Sequence, residues 1–480
     1  MNVSNNKRAN IIVILIIAAN FSLPHVSESS QECKEWLVQS IPIDMPHLPR
    51  VPGVLSTGDV FQWLAGNSSK RLDIIAQYWE LLAAPDDPRS RDYGYSKANM
   101  QEFGAKEGYD VYKAIENAAD RNVNVRYDYL SHSGVYPEYT TEPSNLASGR
   151  PNVKNVTLLL GEWYGSGIVH AKVWISDHRD VYIRSANQDW KSLTQLTQNQ
   201  FGMNNGKLIE QFLAGYFIDP KERCRSPLPP YVEIPLVAGY PTLSDPYMFK
   251  ISVQTPGYSN STLWPHFNCL SFSPPELLLG TYQADEQAWV DTIKSVGSGS
   301  IVRINTMDWL GQSEYMTPTV YRSSISSAIS EVVFSKQATV KLLVAYWKYS
   351  ISNADQYLKF LLDSNVLCSS SKYNDCAGKV EIKYYKVPGF NLTGPAKFPI
   401  GTSTGNIYPG FTRVNHGKYV VSDVRAHVAT SNLVWDYFYV TAGVSFGTYT
   451  PAIVSQLQQV FDADWNSPYA VPIKAFQLSC

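Results

Sequence analysis

Two stretches of the chain set a histidine and a lysine two residues apart and follow them with an asparagine. The first reads His170-Ala171-Lys172-Val173-Trp174-Ile175-Ser176-Asp177, then Arg184-Ser185-Ala186-Asn187 and Trp190. The second reads His416-Gly417-Lys418-Tyr419-Val420-Val421-Ser422-Asp423, then Thr430-Ser431-Asn432 and Trp435. Asn187 follows His170 by 17 residues and Asn432 follows His416 by 16. One HxK on a strand is usually a surface accident; two copies with matching Asn and Trp offsets are not. In a strand, residues i and i+2 face the same side, so each histidine projects with its lysine. A neighbouring cation lowers an imidazole's proton affinity, which makes the pair awkward unless an anion sits between the two groups. A phosphate held by two lysines and two asparagines meets that need. At a joint site one histidine can attack phosphorus while the other protonates the leaving oxygen and then activates water, without a metal. Asn187, Asn432, Ser185 and Thr430 are candidates for binding the non-bridging oxygens. Asp177 and Asp423 lie near turns into the next strand and are expected to orient and brace the motif.

The elements around the motifs repeat as well. A strand pattern at 72–79 has its counterpart at 300–309, and one at 122–130 its counterpart at 339–347. The apolar positions 111, 115, 118 and 119 predict a helix before the 122–130 strand; positions 325, 328, 329, 332 and 333 do the same before 339–347. Helix patterns follow the motifs at 207–217 and 454–465. Alternating strands and helices predict two similar α/β/α domains with mixed sheets. We place the first half at 30–219 and the second at 276–480. Between them, 220–275 holds 11 of the 29 prolines and reads as a linker.

The 480 residues are 44% hydrophobic and 17% charged, a globular mixture that excludes a largely disordered chain. With 40 Lys+Arg against 42 Asp+Glu, binding to nucleic acid by bulk charge is excluded too, although a local basic groove is not. Lys7 and Arg8 precede an apolar run at 11–19, followed by small polar residues. This is the layout of a secretory signal peptide over 1–29, with a signal anchor as the rival, and it implies a secreted or endolysosomal protein. Six cysteines follow the segment, an even number that favours disulfides in an exported chain. Cys368 and Cys376, closing a short polar loop, are the pair we expect. Asn67, Asn155, Asn260 and Asn391 open glycosylation sequons. No CxxC or HExxH spacing occurs, so neither a metal nor a cofactor has sequence support.

The duplicated H-x-K-x-x-x-x-D motif and the SANQDWKSLTQ, RVNHGKYVVSD, TSNLVWDYF and DADWNSPY stretches resemble the phospholipase D superfamily, and within it the endolysosomal phospholipase D3/D4-like branch. The resemblance runs from about Cys33 to the C-terminus. It implies a bilobal fold with one active site at the interface of the two halves and a covalent phosphohistidine intermediate. It carries the nucleophile's role to His170 and the general acid/base role to His416. The function it implies first is hydrolysis of phosphatidylcholine to choline and phosphatidic acid. The alternative is 5′ exonuclease action on single-stranded DNA or RNA. Phospholipid or single-stranded nucleic acid is therefore the expected partner, with transient membrane-surface contact and a homodimer left open. Four positions depart from the family pattern: Arg184 and Ala429 replace glycines, and Gln198 and Val440 stand where an acidic residue would orient each histidine. A degenerate, non-catalytic binding glycoprotein is accordingly a second alternative.

Overall fold

The computed structural model describes residues 35–129, 141–157, 168–177, 180–183, 185–204, 269–275, 283–370, 376–389, 408–409 and 411–473. The signal-like segment, most of the proline-rich stretch, the 207–217 pattern, Arg184, Asn260, Asn391, Cys33, Cys224 and Cys480 lie outside the described residues.

Each half builds one mixed sheet. In the first, the strand order is Leu55–Ser56, Glu35–Ser40, Leu196–Asn204, Asp180–Ile183, Val173–Ser176, Arg71–Ala76, Asn124–Tyr129 and Val153–Thr157. In the second it is Gln283–Ala284, Cys269–Ser273, Gly443–Thr448, Ala426–Ala429, Tyr419–Val421, Ile301–Thr306, Thr339–Ala345, Lys379–Tyr385 and Ala470–Pro472. The first eight positions of the two orders correspond one to one. In both, the strand after the HxK motif runs antiparallel to its neighbours, and the three strands beyond it run parallel to one another. The fold class is therefore the expected α/β one. Cys269–Ser273, assigned above to the linker, is a strand of the second sheet, paired with Gly443–Thr448. Alternation of Leu270 and Phe272 over five residues was too short a signal to outweigh the nearby prolines.

Helices cover the sheets because their apolar faces have nowhere else to go. The helix Ala105–Asp120 buries Val111, Tyr112, Ile115, Ala118 and Ala119; Ser324–Lys336 buries Ile325, Ala328, Ile329, Val332 and Val333. These faces supply two separate cores, one around Ile74, Val125 and Trp174, the other around Ile304, Val340 and Leu342. Trp174 stacks on Phe61 at 4.5 Å, and removing an indole packed in this way costs about 3–5 kcal/mol. Gly108 allows the Ala105–Asp120 helix to approach the segment after Asn187: a Cβ there would lie 2.4 Å from the Trp190 Cβ. Cys368 and Cys376 form a disulfide. Asn67, at a helix end, and Asn155, on the edge strand Val153–Thr157, are both exposed.

Candidate active site

The entry to each motif is stitched to the opposite half. The His170 backbone N–H donates to the Ala442 carbonyl (2.8 Å), and the Ala442 N–H donates back to Ile168 (2.9 Å). Val414–Asn415, immediately before His416, pairs in parallel with Leu196–Thr197, and the Arg413 N–H donates to Gln195 (3.1 Å). Ala442 and Thr197 occupy like places, each paired in parallel with the residue before a motif histidine and each just beyond the short helices Trp435–Tyr439 and Trp190–Thr194. This reciprocal exchange of backbone bonds brings the two motifs together.

Both histidines are buried, at 4% exposure for His170 and 8% for His416, and both lysines are fully so. Lys172 donates to the His170 carbonyl (2.8 Å) and Lys418 to that of His416 (2.9 Å). The proton affinity of each imidazole falls well below the ordinary value, first through burial and then through the cations around it. His170 feels Lys172, Lys418 and His416; His416 feels Lys418 and Lys172. The backbone acceptor opposing that shift comes from the other half in each case: Thr430 for His170 and Ser185 for His416. Nδ1 of both rings is buried without a hydrogen-bond partner among the described residues. At Val440 no side-chain acceptor exists to take such a proton. The Gln198 backbone pairs with Ser40, and its side chain lies outside the described residues.

The asparagines are held from behind, and differently. Asn187 donates through Nδ2 to the Tyr78 hydroxyl (3.1 Å), which donates to Asp189 (3.0 Å). Asn432 donates through Nδ2 to the Asp308 carboxylate (2.6 Å). In both, Oδ1 is buried with no partner among the described residues, and one amide N–H remains for a ligand oxygen. Ser185 is fully buried beside the site. The Thr430 hydroxyl accepts the Val444 N–H (3.0 Å), a bond that fixes the chain ahead of Asn432 and leaves its own O–H proton to donate.

The two aspartates act as braces at the far ends of the motif strands. Asp177, at φ 52°, accepts from the N–H groups of Ser69, Lys70 and Arg71 at 2.7–2.8 Å and from the Ser69 hydroxyl at 2.7 Å. Burial alone would raise this carboxyl; these bonds hold it below the ordinary range. Asp423 accepts the Gly297 N–H (2.9 Å) at the corresponding turn. Gly417 stands where the first copy has Ala171 because a Cβ there would lie 2.8 Å from the Asn305 amide nitrogen.

Four residues at the site escaped the motif reading. Tyr78 and Asp308 sit one residue before Trp79 and Trp309, at the same offset in the two repeated strand segments. Comparing those segments with each other is the signal that finds them. Tyr437 packs edge-on against His170 at 5.1 Å, and the Met307 sulfur lies 3.7 Å from the Lys418 ammonium. Behind Tyr78 lies a buried ionic cluster in which Lys191 meets Glu80 (2.8 Å), Asp92 (3.0 Å) and Asp189 (3.8 Å). Trp190 donates its indole N–H to Asp92 (3.1 Å), and Trp435 stacks on Tyr439.

A duplicated sheet with two His-Lys-Asn sets facing one another across its halves defines the class. Known proteins are similar in sequence to this chain over nearly its full length. The chain is 26% identical to phospholipase D Y of Dictyostelium discoideum over 97% of this chain and 98% of that one. It is 28% identical to a probable phospholipase D of Caenorhabditis elegans, covering 96% of this chain and 76% of that one. It is 26% identical to the 5'-3' exonuclease PLD3 of Macaca fascicularis, covering 92% and 81%. No protein-family model matches the chain. With the duplicated motif, these relatives make the chain similar to the phospholipase D family over nearly its full length.

Proposed function

We propose that the chain is a phosphodiester hydrolase whose two motif histidines divide one reaction between them. The observation that carries this reading is the reciprocal pairing of the motif entries, with both imidazoles buried and neutral beside two buried lysines. His170 attacks phosphorus through a ring nitrogen. The P–N bond forms, the P–O bond to the leaving alcohol breaks, and the alcohol oxygen takes a proton from His416. Water then attacks phosphorus and gives a proton to His416 as the P–N bond breaks, releasing a phosphate monoester. Lys172, Lys418 and the free amide N–H groups of Asn187 and Asn432 hold the non-bridging oxygens. With both rings depressed in the empty site, one gains its proton only when the anionic substrate arrives. Turnover is therefore expected to rise as pH falls from 7 to 5.

The relatives' names support two substrate classes. Phospholipase D-type hydrolysis of phosphatidylcholine is supported by relatives that match from end to end. Exonucleolytic hydrolysis of a nucleic-acid strand is supported by others. The signal-like N-terminus, exposed Asn67 and Asn155, and the Cys368–Cys376 disulfide support a secreted or endolysosomal glycoprotein.

The test uses the purified mature protein and its His416→Asn variant at pH 5 to 7. Each receives phosphatidylcholine micelles and a 5′-hydroxyl single-stranded oligonucleotide. Choline release by the parent protein alone establishes the lipid substrate, and stepwise shortening by the parent alone establishes the strand. No turnover of either returns the chain to the binding-glycoprotein reading.

A further inference from the structure

The chain reaches His416 past a buried cation held by neutral oxygens. Arg413, three residues before the histidine, is 1% exposed. Its Nε donates to the Pro388 carbonyl (2.5 Å), and its Nη1 donates to the Ile43 carbonyl (3.0 Å) and to Gln195 Oε1 (3.2 Å). Pro388 belongs to the second half, Ile43 and Gln195 to the first. The guanidinium lies 4.2 Å from the centroid of the Tyr408 ring, and the Tyr408 hydroxyl donates to Asp44 of the first half (2.5 Å). Gln195 is held in turn: its Nε2 donates to the Phe103 carbonyl (2.6 Å), and its own carbonyl accepts the Arg413 N–H (3.1 Å).

Three features set this arrangement apart from ordinary packing. Burying a guanidinium among neutral oxygens costs free energy that an apolar residue of like volume would not, so the cation is retained for something other than stability. A planar fork is the one side chain that can bridge several oxygens in fixed directions at once. Second, Arg413 holds φ at 58°, a left-handed conformation that costs a bulky residue energy and that the fold nonetheless maintains. Third, the path from the guanidinium to His416 is short and held on the way. Val414 packs in a small core with Leu196, Ala345 and Trp347. Asn415 pairs with Thr197, donates to Asn305 (2.5 Å) and accepts the Gly417 N–H (3.2 Å). The first motif has no such side-chain pair in its sequence. Gly167 stands three residues before His170, and Val440 follows the short helix of the second half where Gln195 follows that of the first.

We infer that Arg413 is a positioning residue for His416, a clasp between the halves that fixes this imidazole for proton transfer. The inference rests on the phosphodiesterase reading and deepens it by tying the clasp to one of its two steps. Arg413 acts through the segment that carries the histidine. With a p-nitrophenyl diester, His170 forms the P–N bond and p-nitrophenolate departs with the P–O electron pair, needing no proton from His416. In the second step water attacks phosphorus, the P–N bond breaks, and the water proton goes to His416. A loosened clasp therefore slows the second step more than the first, and the phosphohistidine accumulates.

The test follows p-nitrophenolate release from bis(p-nitrophenyl) phosphate by rapid mixing, with enough protein to resolve the first turnover. In Arg413→Met the first turnover should stay within about threefold of the parent while the steady rate falls about 100-fold, the loss that a misplacement of about 1 Å can bring. The trace then shows a burst that the parent lacks. A general loosening of the fold would slow both phases together, and that result overturns the clasp. Arg413→Lys keeps the charge without the fork and should show the same split; parent-like turnover in it would also overturn the clasp. Gln195→Met leaves the guanidinium its bonds to Pro388 and Ile43 and serves if circular dichroism shows Arg413→Met to be unfolded. Its steady rate should fall about tenfold with the burst kept, the effect of one lost hydrogen bond to a charged group. An unchanged steady rate there overturns the proposal. A parent protein that releases no p-nitrophenolate sinks the phosphodiesterase reading and the clasp with it, whereas an active parent with equal losses in both phases of the variants sinks the clasp alone.

Discussion

The two halves share their strand order and differ in what stands behind the asparagine. In the first half Asn187 leans on the neutral phenol of Tyr78, which passes the contact to Asp189 and so to the Lys191 cluster. In the second half Asn432 leans on a carboxylate, Asp308, which also interacts electrostatically with Lys418. Burial pushes the Lys418 ammonium toward neutrality and Asp308 opposes that shift. The residue after the tryptophan differs in charge as well: Lys191 in the first half, Asp436 in the second, where it accepts the N–H groups of Glu314 and Tyr315. A duplicated fold thus carries unequal electrostatics at equal positions. Burial raises Asp308 to about 7 and Lys418 opposes that shift, so the second half has a titrating carboxyl behind its asparagine where the first half has a phenol.

The largest effect should come from the histidines themselves. His170→Asn and His416→Asn should each lower turnover by at least about 10²–10⁴-fold, the range of a lost acid–base or nucleophilic group, with unchanged circular dichroism. Unequal residual activity would sharpen the division of labour, and full activity in either variant would break it. Next in size is the ionic cluster peculiar to the first half. Lys191→Met leaves Glu80, Asp92 and Asp189 without their buried cation and should destabilise the protein by about 3–5 kcal/mol in denaturant titration. A change under about 1 kcal/mol would show that solvent compensates those carboxylates.

Substitution at the matched positions separates the halves most finely. Asp308→Asn removes the carboxylate near Lys418 and should lower kcat more than Tyr78→Phe, which loses two hydrogen bonds worth about 1 kcal/mol each. Equal losses would mean that the charge behind Asn432 is irrelevant to the reaction. The smallest effect expected is on stability across pH. Burial raises Glu142 to about 8, Asp464 to about 7 and Glu107 to about 7. A carboxyl raised on folding contributes stability that is fully present below its unfolded value and is lost as pH rises through the folded one. The depressed histidines act oppositely, destabilising the fold as pH falls below about 6.5. The three carboxyls span the wider window, so the thermal midpoint should be higher at pH 5.5 than at pH 8. A midpoint that rises steadily toward pH 8 would contradict these burials.

The duplicated motif, the paired strands and the buried helix faces were legible because each is a spacing in one dimension. Positions 325, 328, 329, 332 and 333 define one face of a helix wherever it packs. The backing residues are not part of the motif spacing, because Tyr78 and Asp308 reach their asparagines from just beyond strands more than a hundred positions away. Thr430 has a further job that its place near Asn432 does not announce: its hydroxyl accepts the Val444 N–H and fixes the chain there, a contact set by a strand fourteen residues on. The 269–273 strand was hidden by the prolines around it, since proline content reports on loops and cannot report on a sheet neighbour from a distant part of the chain.

The most direct test of a single site shared by unequal halves is a quenched single-turnover experiment with a ³²P-labelled phosphodiester. The parent protein, His170→Asn and His416→Asn are each denatured in alkali, where phosphohistidine persists, and the label on protein is counted. Acid-labile label in the parent and in His416→Asn, with none in His170→Asn, is the predicted pattern. Label retained in His170→Asn, or undiminished steady-state turnover in either variant, would contradict the account.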